Sequence, residues 1–297
     1  WAGANIYFLY SLPPQDQDRV LSALSASGVK TVRIFVTSFS SGGKGTAARG
    51  SKDLELSSVG DYDDSILDQI DAMMPLLVQY GIRVLIALHD RWNLDSTWGI
   101  CDAYCQKWSI NGFYTNLEAQ AAFDARLAHI VTHPNPYMNG RAWKDIPEAI
   151  YAFEIENEGQ GDHFVNPSWW CDRATQLRSV MESSQVKVST GGGQDFEHSA
   201  IAENFACPSI DIVALHSYST DMNYLQSGLR NALSQANGKQ ILFEEFGSSS
   251  DKAGLIQKVA DMSNALGVPW MVWEVSTVTK SKDFEFWTDD EKSWGAL

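Results

Sequence analysis

The chain has 297 residues, of which 44% are hydrophobic and 20% are charged, a composition typical of a globular protein. Its net charge of −15 argues against nucleic acid as a partner, because phosphate binding needs clustered lysine and arginine. No apolar run approaches the roughly 20 residues that span a bilayer, so we expect no membrane segment.

Short runs rich in Val and Ile alternate with helical patterns along the whole chain. Several of these runs are apolar almost throughout, as strands are in parallel sheets that are buried on both faces. The eight predicted strands are Ala2–Tyr7, Thr31–Val36, Arg83–Leu88, Ala149–Glu156, Val186–Thr190, Ile210–Leu215, Gln240–Glu244 and Trp270–Glu274.

Between the strands, apolar residues recur with helical spacing, most clearly in Asp63–Tyr80, where they form one stripe. Glycines such as Gly81 and Gly267 follow the patterns directly and predict where the helices end. The other predicted helices are Gln17–Ala26, Leu117–Val131, Ser168–Glu182, Met222–Gln235 and Asp251–Leu266.

Eight strands with intervening helices predict a single (β/α)₈ TIM barrel, an α/β fold that suits one catalytic domain over residues 1–297. An open α/β sheet is the alternative, but Gly191-Gly192-Gly193 does not match the spacing of a dinucleotide-binding motif. Thr37–Tyr62 and His89–Tyr114 are long irregular segments that follow strands. In a barrel they would shape the substrate cleft, with a surface insertion as the alternative.

Four cysteines predict two disulfides and an oxidising compartment, and three pairings are open. We expect Cys101 to pair with Cys105 and Cys171 with Cys207; reduced cysteines in a cytosolic protein are the alternative. The chain begins at Trp1, so we expect a mature, secreted, extracellular protein. No second close Cys or His pair accompanies Cys101 and Cys105, so we expect no metal site. We also expect no cofactor and a monomer.

Residues at the carboxyl ends of barrel strands converge on one site. Two of them are carboxylates, which suits glycoside cleavage: one supplies a proton to the leaving oxygen and the other attacks the anomeric carbon. No Cys or Ser/His/Asp set competes with this pair. The residues at the predicted strand ends are Arg33, His89, Asn157, Glu158, His216, Tyr218, Glu245 and Trp273.

These residues and their order along the chain resemble glycoside hydrolase family 5, in clan A of the retaining (β/α)₈ glycosidases. Within it, the chain most resembles fungal and plant endo-β-1,4-mannanases. The resemblance runs over nearly the whole chain. Its similar stretches are Gly3–Tyr7, Val32–Ile34, Phe113–Thr115, Tyr151–Glu158 and Gly238–Gly247, the last including Glu-Phe-Gly.

The resemblance implies that Glu158 is the acid/base and Glu245 the nucleophile of a double displacement. Arg33 would then lie beside Glu245 and stabilise its negative charge, and Tyr218 would donate a hydrogen bond to it. The alternative is that the glutamates are ordinary surface carboxylates, Arg33 a structural ion-pair partner and Tyr218 a packed ring.

The resemblance also places the sugar that is being cleaved. Asn157 would bind its 2-hydroxyl, His89 and His216 would line its subsite, and Trp273 would form the floor beneath its ring. The structural alternatives are that Asn157 caps a helix or turn, that both histidines are hydrogen-bonded core residues, and that Trp273 is part of the core.

Aromatic residues in the third loop and the fourth helix are candidates for an extended polymer groove, although ordinary packing is equally expected for each of them. Trp92 and Trp98 are the foremost candidates. The others are Tyr104, Trp108, Trp169 and Trp170.

Three positions depart from the family pattern. Gly159 stands where the family usually has proline, Glu156 where a small residue is expected, and Glu274 follows Trp273. On a continuous strand Glu156 would share a face with Glu158, and like-charge repulsion would raise the pKa of the acid.

The favoured function is retaining hydrolysis of a β-linked polysaccharide, with β-mannan as the first expectation. A β-glucanase, another β-glycanase, an exo-glycosidase or a transglycosylase of the same clan is the alternative. A carbohydrate-binding barrel without catalysis and a metal-dependent barrel hydrolase are further alternatives.

Overall fold

The computed structural model describes residues 1–96, 101–161 and 164–297. Parallel strands follow one another in chain order around a closed barrel, and the last strand pairs with the first. The predicted TIM barrel is therefore confirmed. The eight barrel strands are β1 (Ala2–Asn5), β2 (Thr31–Phe35), β3 (Arg83–Ala87), β4 (Ile150–Glu154), β5 (Lys187–Ser189), β6 (Ile212–His216), β7 (Gln240–Phe246) and β8 (Trp270–Val272).

Helices pack around this barrel, and each predicted helix is present to within three residues at its ends. Short helices between β5 and β6 were not predicted, because four or five residues are too few to display a helical period. The helices are α1 (Pro14–Ala26), α2 (Ser65–Tyr80), α3 (Ala103–Lys107), α4 (Ile110–Thr115), α5 (Leu117–Thr132), α6 (Trp169–Met181), α7 (Phe196–Ser199), α8 (Ala202–Ala206), α9 (Met222–Gln235), α10 (Lys252–Leu266) and α11 (Glu291–Ala296).

The helix ends follow the glycine signals. Gly81 ends α2 and Gly267 ends α10, each in the left-handed conformation, with φ of 64° and 70°. A residue with a side chain rarely adopts this conformation, so glycine allows both helices to stop where the strand after them begins.

Two layers of apolar residues stabilise the barrel. The main core fills the space between strands and helices, and Val84 and Ile86 of β3 point into it. Leu85, between them, belongs to a separate cluster of strand residues, as the alternation of side chains along a strand requires. The other members of that cluster are Tyr151, Ala152, Ile212, Leu242 and Met271.

Both expected disulfides are present. Cys101 and Cys105 close a short loop, and their Cα atoms lie 5.2 Å apart. Cys171 of α6 is bonded to Cys207, and the two Cα atoms lie 5.6 Å apart. Within the described ranges, no helix is both long and apolar enough to cross a lipid bilayer.

The register of β6 and β7 positions part of the site. Leu215 pairs with Phe243, but the next residue, His216, pairs with Glu245, so the pairing shifts by one residue there. Such a bulge re-aims a side chain at the end of a strand. Here it brings the His216 ring beside Glu245.

Candidate active site

An open cleft of about 1090 Å³ lies at the carboxyl ends of the barrel strands. The segments Thr37–Tyr62 and His89–Tyr114 both contribute to its walls, as predicted from their positions after strands. This volume reaches the upper limit of ordinary small-molecule pockets, about 1,000 Å³, and gives room for several sugar units. Among the lining residues are Tyr7, Phe35, Phe39, Lys44, Asp90, Trp92, Asn157, Glu158, Gln194, Tyr218, Glu245 and Trp273.

Glu245 lies within β7, which continues to Phe246 and not only to the predicted end at Glu244. One carboxylate oxygen accepts a hydrogen bond from Nη1 of Arg33 at 2.7 Å, and the other accepts one from the hydroxyl of Tyr218 at 2.5 Å. Charge-assisted bonds of this kind fix the orientation of a carboxylate and stabilise its negative charge. The geometry suits a nucleophile held on a rigid strand.

Arg33 is completely buried at the centre of the polar network, and all five of its N–H groups have acceptors. Nε and Nη2 donate to the two oxygens of Glu154, at 2.7 and 2.8 Å. Nη1 donates to Asn5 as well as to Glu245, and Nη2 also donates to Asn157 at 2.7 Å. Burial lowers the pKa of Arg33, but the charge of Glu154 and of its other carboxylate neighbours raises it well above the ordinary value.

Glu158 follows β4 and adopts a left-handed backbone with φ of 48°. Nε1 of Trp92 donates a hydrogen bond to its Oε2 at 2.6 Å, and Nδ1 of His216 lies 3.4 Å from its Oε1. Burial raises the pKa of Glu158, but the hydrogen bond and charge of His216, the hydrogen bond from Trp92 and the charge of Arg33 together bring it below its ordinary value. Trp92, expected only along the groove, therefore contacts the acid/base candidate directly.

His216 lies beneath the two glutamates and is completely buried. Its Nδ1 lies 3.6 Å from Glu245, and its Nε2 lies 3.1 Å from Glu244. Burial lowers the pKa of His216, but the charge of Glu245 and the hydrogen bonds with Glu158 and Glu244 raise it to about 10. The resemblance implies that His216 lines the sugar subsite. The ring instead contacts the carboxylates from below and is not among the cleft-lining residues.

The two candidate catalytic carboxylates are close together. An oxygen of Glu158, an oxygen of Glu245 and a ring nitrogen of His216 all lie within 4.8 Å of one another. Retaining glycosidases hold their two carboxyl groups about 5–5.5 Å apart, whereas inverting enzymes leave about 6.5–9.5 Å for a water molecule. The separation therefore favours direct attack by one carboxylate.

The prediction that neighbouring glutamates raise the pKa of Glu158 is wrong. β4 ends at Glu154, and the left-handed turn at Glu158 breaks the alternation that would have placed Glu156 on the same face. Glu156 instead receives a hydrogen bond from Tyr114 at 2.9 Å and lies 2.7 Å from Nδ1 of His89. Each carboxylate thus has its own partners.

The unusual Gly159 has a packing reason. A Cβ atom at this position would lie 2.5 Å from the indole of Trp170 and 2.8 Å from Oε2 of Glu156. Neither neighbour is on the flexible surface, since Trp170 and Glu156 are both buried. A proline or any other residue at position 159 would displace the turn that carries Glu158.

Close contact also explains the glycines after β5. A Cβ atom on Gly191 would lie 1.7 Å from the carbonyl oxygen of Glu156, and one on Gly192 would lie 2.4 Å from the ring of His216. These glycines therefore let the chain pass directly against the segment before the acid/base candidate and against its histidine neighbour.

The expectation that His89 lines the sugar subsite is wrong. His89 is completely buried and is absent from the cleft lining, because its ring nitrogens lie 2.7 Å from Glu156 and 2.7 Å from Asp102. Burial lowers the pKa of His89, but hydrogen bonds with these two carboxylates raise it to about 10. As an imidazolium it joins the end of β4 to Asp102, which lies between the cysteines of the first disulfide.

Asn157 lines the cleft with both ends of its amide group engaged. Its Oδ1 accepts from Arg33, and its Nδ2 donates to Asp90 at 2.9 Å. One N–H of the amide nitrogen is still available to a sugar hydroxyl. Asp90 was not predicted, although its position directly after His89 at the end of β3 was a usable signal.

Trp273 forms part of an aromatic wall. Its ring stacks on Tyr7 with a centroid separation of 5.6 Å and an angle of 6° between the planes, and Phe35 lies 6.1 Å away. Tyr7 follows β1 and Phe35 ends β2, so three adjacent strands supply the wall. An aromatic surface of this kind suits the C–H face of a pyranose ring.

The remaining aromatic candidates divide between cleft and core. Tyr104, Trp169 and Trp170 are buried in the hydrophobic core, and Trp108 packs against it. Trp98 lies outside the described residues. Only Trp92, of the groove candidates that the structure describes, lines the cleft.

Two groups of side chains have donor atoms close enough for a metal ion, among the residues that the structure describes. One comprises Glu158, His216 and Glu245, but the Arg33 guanidinium 2.7 Å from Glu245 opposes a second cation there. The other comprises Asp68, Asp71 and His133. Both oxygens of Asp71 already accept hydrogen bonds in that group, one from Trp143 and one from the His133 ring.

A barrel with two close carboxylates at the ends of its fourth and seventh strands defines the class of the protein, which is a glycoside hydrolase. More specifically, the chain belongs to the GH family 5 β-mannosidase-like family, whose model matches residues 14–289.

The chain is similar to two curated proteins of fungi. The chain is 26% identical to the probable mannan endo-1,4-beta-mannosidase A of Aspergillus oryzae, over 99% of this chain and 77% of that protein. It is 25% identical to the mannan endo-1,4-beta-mannosidase F of Aspergillus clavatus, over 97% of this chain and 66% of that protein. The chain thus spans between 66% and 77% of the length of these two relatives.

Solved structures share the fold. The endo-1,4-beta-mannanase from Rhizomucor miehei superposes with a TM-score of 0.78 at 20% identity, covering 100% of this chain and 92% of that one. The family 5 mannosidase from the same organism gives 0.73 at 15% identity, covering 99% and 90%. At these identities the similarity supports the barrel architecture.

Proposed function

We propose that the protein is an endo-β-1,4-mannanase that retains the anomeric configuration. The observation that carries this proposal is the pair of carboxylates, Glu158 and Glu245, whose oxygens lie within 4.8 Å of each other at the base of the cleft. The names of the fungal relatives and the family support mannan as the polymer.

In the first step Glu245 attacks the anomeric carbon and forms an ester bond with it. The bond between that carbon and the glycosidic oxygen breaks at the same time, and Glu158 gives its proton to the departing oxygen. Tyr218 and Arg33 hold the attacking carboxylate by hydrogen bonds of 2.5 and 2.7 Å. In the second step Glu158 takes a proton from water, and the resulting hydroxide displaces Glu245 with a second inversion.

The acid must carry a proton when the polymer binds, although its pKa in the free protein lies below the ordinary value. Substrate that covers the cleft removes water from Glu158, and desolvation favours the neutral form of a carboxyl group. His216 has its own proton and lies 3.4 Å away, so it also fixes the direction in which the carboxyl group points.

The sugar would lie over Trp273, with Asn157 donating an N–H to its 2-hydroxyl. Both residues line the cleft, and the second N–H of Asn157 is already used by Asp90. His89 has no contact with sugar in this proposal. It holds the segment that carries Asn157 and Glu158 by binding Glu156.

A panel of polymers tests the proposal. We expect reducing sugar to be released from β-1,4-mannan far faster than from β-glucan, xylan or galactan, and as oligosaccharides of several lengths. Glu245→Ala removes the nucleophile and should abolish release, whereas Glu118→Gln, at an exposed position on α5, is the matched control and should leave it unchanged. Preferred cleavage of β-glucan would contradict the mannanase proposal and indicate a β-glucanase. Release of single sugars alone would indicate an exo-glycosidase.

Further outcomes distinguish the remaining alternatives. Equal and negligible release by the wild type and Glu245→Ala on every polymer would indicate a carbohydrate-binding protein. Loss of activity with a chelator would indicate a metal-dependent hydrolase, and products longer than the substrate would indicate transglycosylation.

We also propose that one barrel over residues 1–297 acts as a secreted monomer. The two disulfides support an oxidising compartment. Sedimentation of the purified protein should give a single species near 32.9 kDa, and a dimer would contradict this part of the proposal.

A further inference from the structure

A lysine reaches the cleft from a loop of glycines after β2. Lys44 lies between Gly43 and Gly45, and its own backbone is left-handed, with φ of 56°. A Cβ atom on Gly43 would lie 2.6 Å from the ring of Phe39, so the loop packs closely on that ring. Sequence and packing together hold Lys44 in a conformation that a residue with a side chain rarely adopts.

Two buried glutamates bind the Lys44 ammonium group. Glu274 and Glu285 are completely buried, and Nζ of Lys44 contacts an oxygen of each, at 2.9 Å for Glu285. The second oxygen of each carboxylate has no hydrogen-bond partner among the described residues. Lys280 also lies 3.3 Å from Glu285, but burying two carboxylates is costly even beside two cations, so stability alone gives no reason for this arrangement.

The ammonium group lies beside the aromatic wall. Nζ is 6.0 Å from the ring centre of Trp273 and 5.6 Å from that of Tyr7, and 22% of the Lys44 side chain is exposed in the cleft. An ammonium group has three N–H donors, and the two glutamates take two of them. No acceptor for the third is found among the described residues, so it can bind a ligand in the cleft.

The position of Lys44 around the barrel indicates which part of a polymer it would meet. The acid/base Glu158 follows β4 and must face the leaving oxygen, so the departing part of the chain lies on the β4 side. Trp273 follows β8, directly across the barrel from β4, and Lys44, on the long loop after β2, contacts Glu274 beside Trp273. The sugar units that stay bound to the nucleophile extend in that direction.

We propose that Lys44, held by Glu274 and Glu285, donates a hydrogen bond to a second pyranose unit of the glycone. This unit is attached to the sugar whose anomeric carbon Glu245 attacks, on the side away from the leaving oxygen. The site is thus a glycone subsite for a neutral β-linked sugar, and Lys44 is a specificity-determining residue. This inference rests on the proposed function, since it requires a glycoside to occupy the cleft.

Activated aryl glycosides of different lengths test the subsite. An aryl β-mannoside offers only the sugar over Trp273, whereas an aryl β-1,4-mannobioside also offers the preceding unit. For Lys44→Met we expect kcat/KM on the mannobioside to fall about 10- to 100-fold, the range for a hydrogen bond to a charged group. On the mannoside it should change no more than about twofold. Lys44→Arg keeps the cation and should recover part of the loss on the mannobioside.

A matched control separates binding from the local charge balance. Lys280 lies 3.3 Å from the same Glu285 oxygen but does not line the cleft. Lys280→Met should therefore leave the ratio of the two kcat/KM values unchanged. Because each variant is measured on both substrates, partial loss of folded protein cancels in the ratio.

The outcomes are distinguishable. Equal losses on both substrates, or no loss on either, would overturn the assignment of Lys44 to a sugar subsite. If the wild type cleaves the corresponding glucosides and not the mannosides, the proposed mannanase activity fails. The same ratio measured with aryl glucoside and cellobioside then decides the role of Lys44.

Discussion

Replacing Arg33 by lysine keeps the positive charge but not the hydrogen-bond geometry of the site. The guanidinium group uses all five of its N–H groups, in five hydrogen bonds of 2.7–3.1 Å. An ammonium group has only three N–H donors, so at least two of these five hydrogen bonds are lost or distorted.

The expected magnitude follows from this count. Hydrogen bonds to charged groups contribute about 1.5–3 kcal/mol each, so loss of two lowers the free energy of unfolding by about 3–6 kcal/mol. Glu245 also loses its fixed orientation toward the anomeric carbon. A misplacement of about 1 Å costs on the order of 100-fold in rate, and we expect kcat to fall by that factor with little change in KM.

Arg126→Lys is the matched control. Arg126 is also completely buried, but its hydrogen bonds go to Asp53, Glu55 and two backbone carbonyl oxygens and not to either candidate catalytic glutamate. This variant should lose stability and keep a kcat within about threefold of the wild type. Urea unfolding followed by tryptophan fluorescence and steady-state kinetics on an activated mannobioside give both quantities. A wild-type kcat in Arg33→Lys, or an equal loss of kcat in Arg126→Lys, would refute the reasoning.

Three further predictions concern the acid/base candidate and the disulfides. Glu158→Ala should lower kcat/KM on polymer by about 100- to 10,000-fold but spare aryl glycosides with good leaving groups, because these need little protonation; equal losses on both would contradict the acid assignment. Trp92→Phe removes a hydrogen bond that favours ionised Glu158, so the pKa of Glu158 should rise and the alkaline limb of the kcat/KM profile should move to higher pH. An unchanged limb would contradict that role. Replacing Cys171 and Cys207 by serine opens a loop with a sequence separation of 36 and should lower the free energy of unfolding by about 4 kcal/mol, measured by urea unfolding; a loss below about 1 kcal/mol would contradict it.

The sequence predicts the barrel well, and also which residues lie at the carboxyl ends of its strands, because both depend on local patterns. Apolar runs identify all eight strands, and glycines mark the ends of α2 and α10. Arg33, Glu158 and Glu245 are far apart along the chain, yet the barrel topology alone is enough to bring strand ends together.

What the sequence does not predict depends on contacts between side chains from different strands. The predicted strand runs to Glu156, whereas β4 ends at Glu154 and a left-handed turn follows at Glu158. The apolar pattern does not indicate that turn, which decides which carboxylates are neighbours. The partners of His89 come from the disulfide loop and from the segment after β4, so its burial cannot be deduced from its position at a strand end.

The same limitation applies to Lys44. Its neighbours in sequence are glycines, and nothing local indicates that two glutamates more than 200 residues away bind it. The unusual Glu274 after Trp273 was visible as a departure from the family pattern, but its partner was not.

Trapping the covalent intermediate tests the central claim most directly. A 2-deoxy-2-fluoro-mannosyl donor with a good leaving group reacts in the first step but slows the second, so the glycosyl ester should accumulate. Mass spectrometry of the digested protein should then find one added fluoromannosyl group on the peptide that contains Glu245. Turnover of this donor without a covalent adduct, or an adduct on Glu158 or Glu244, would contradict the account.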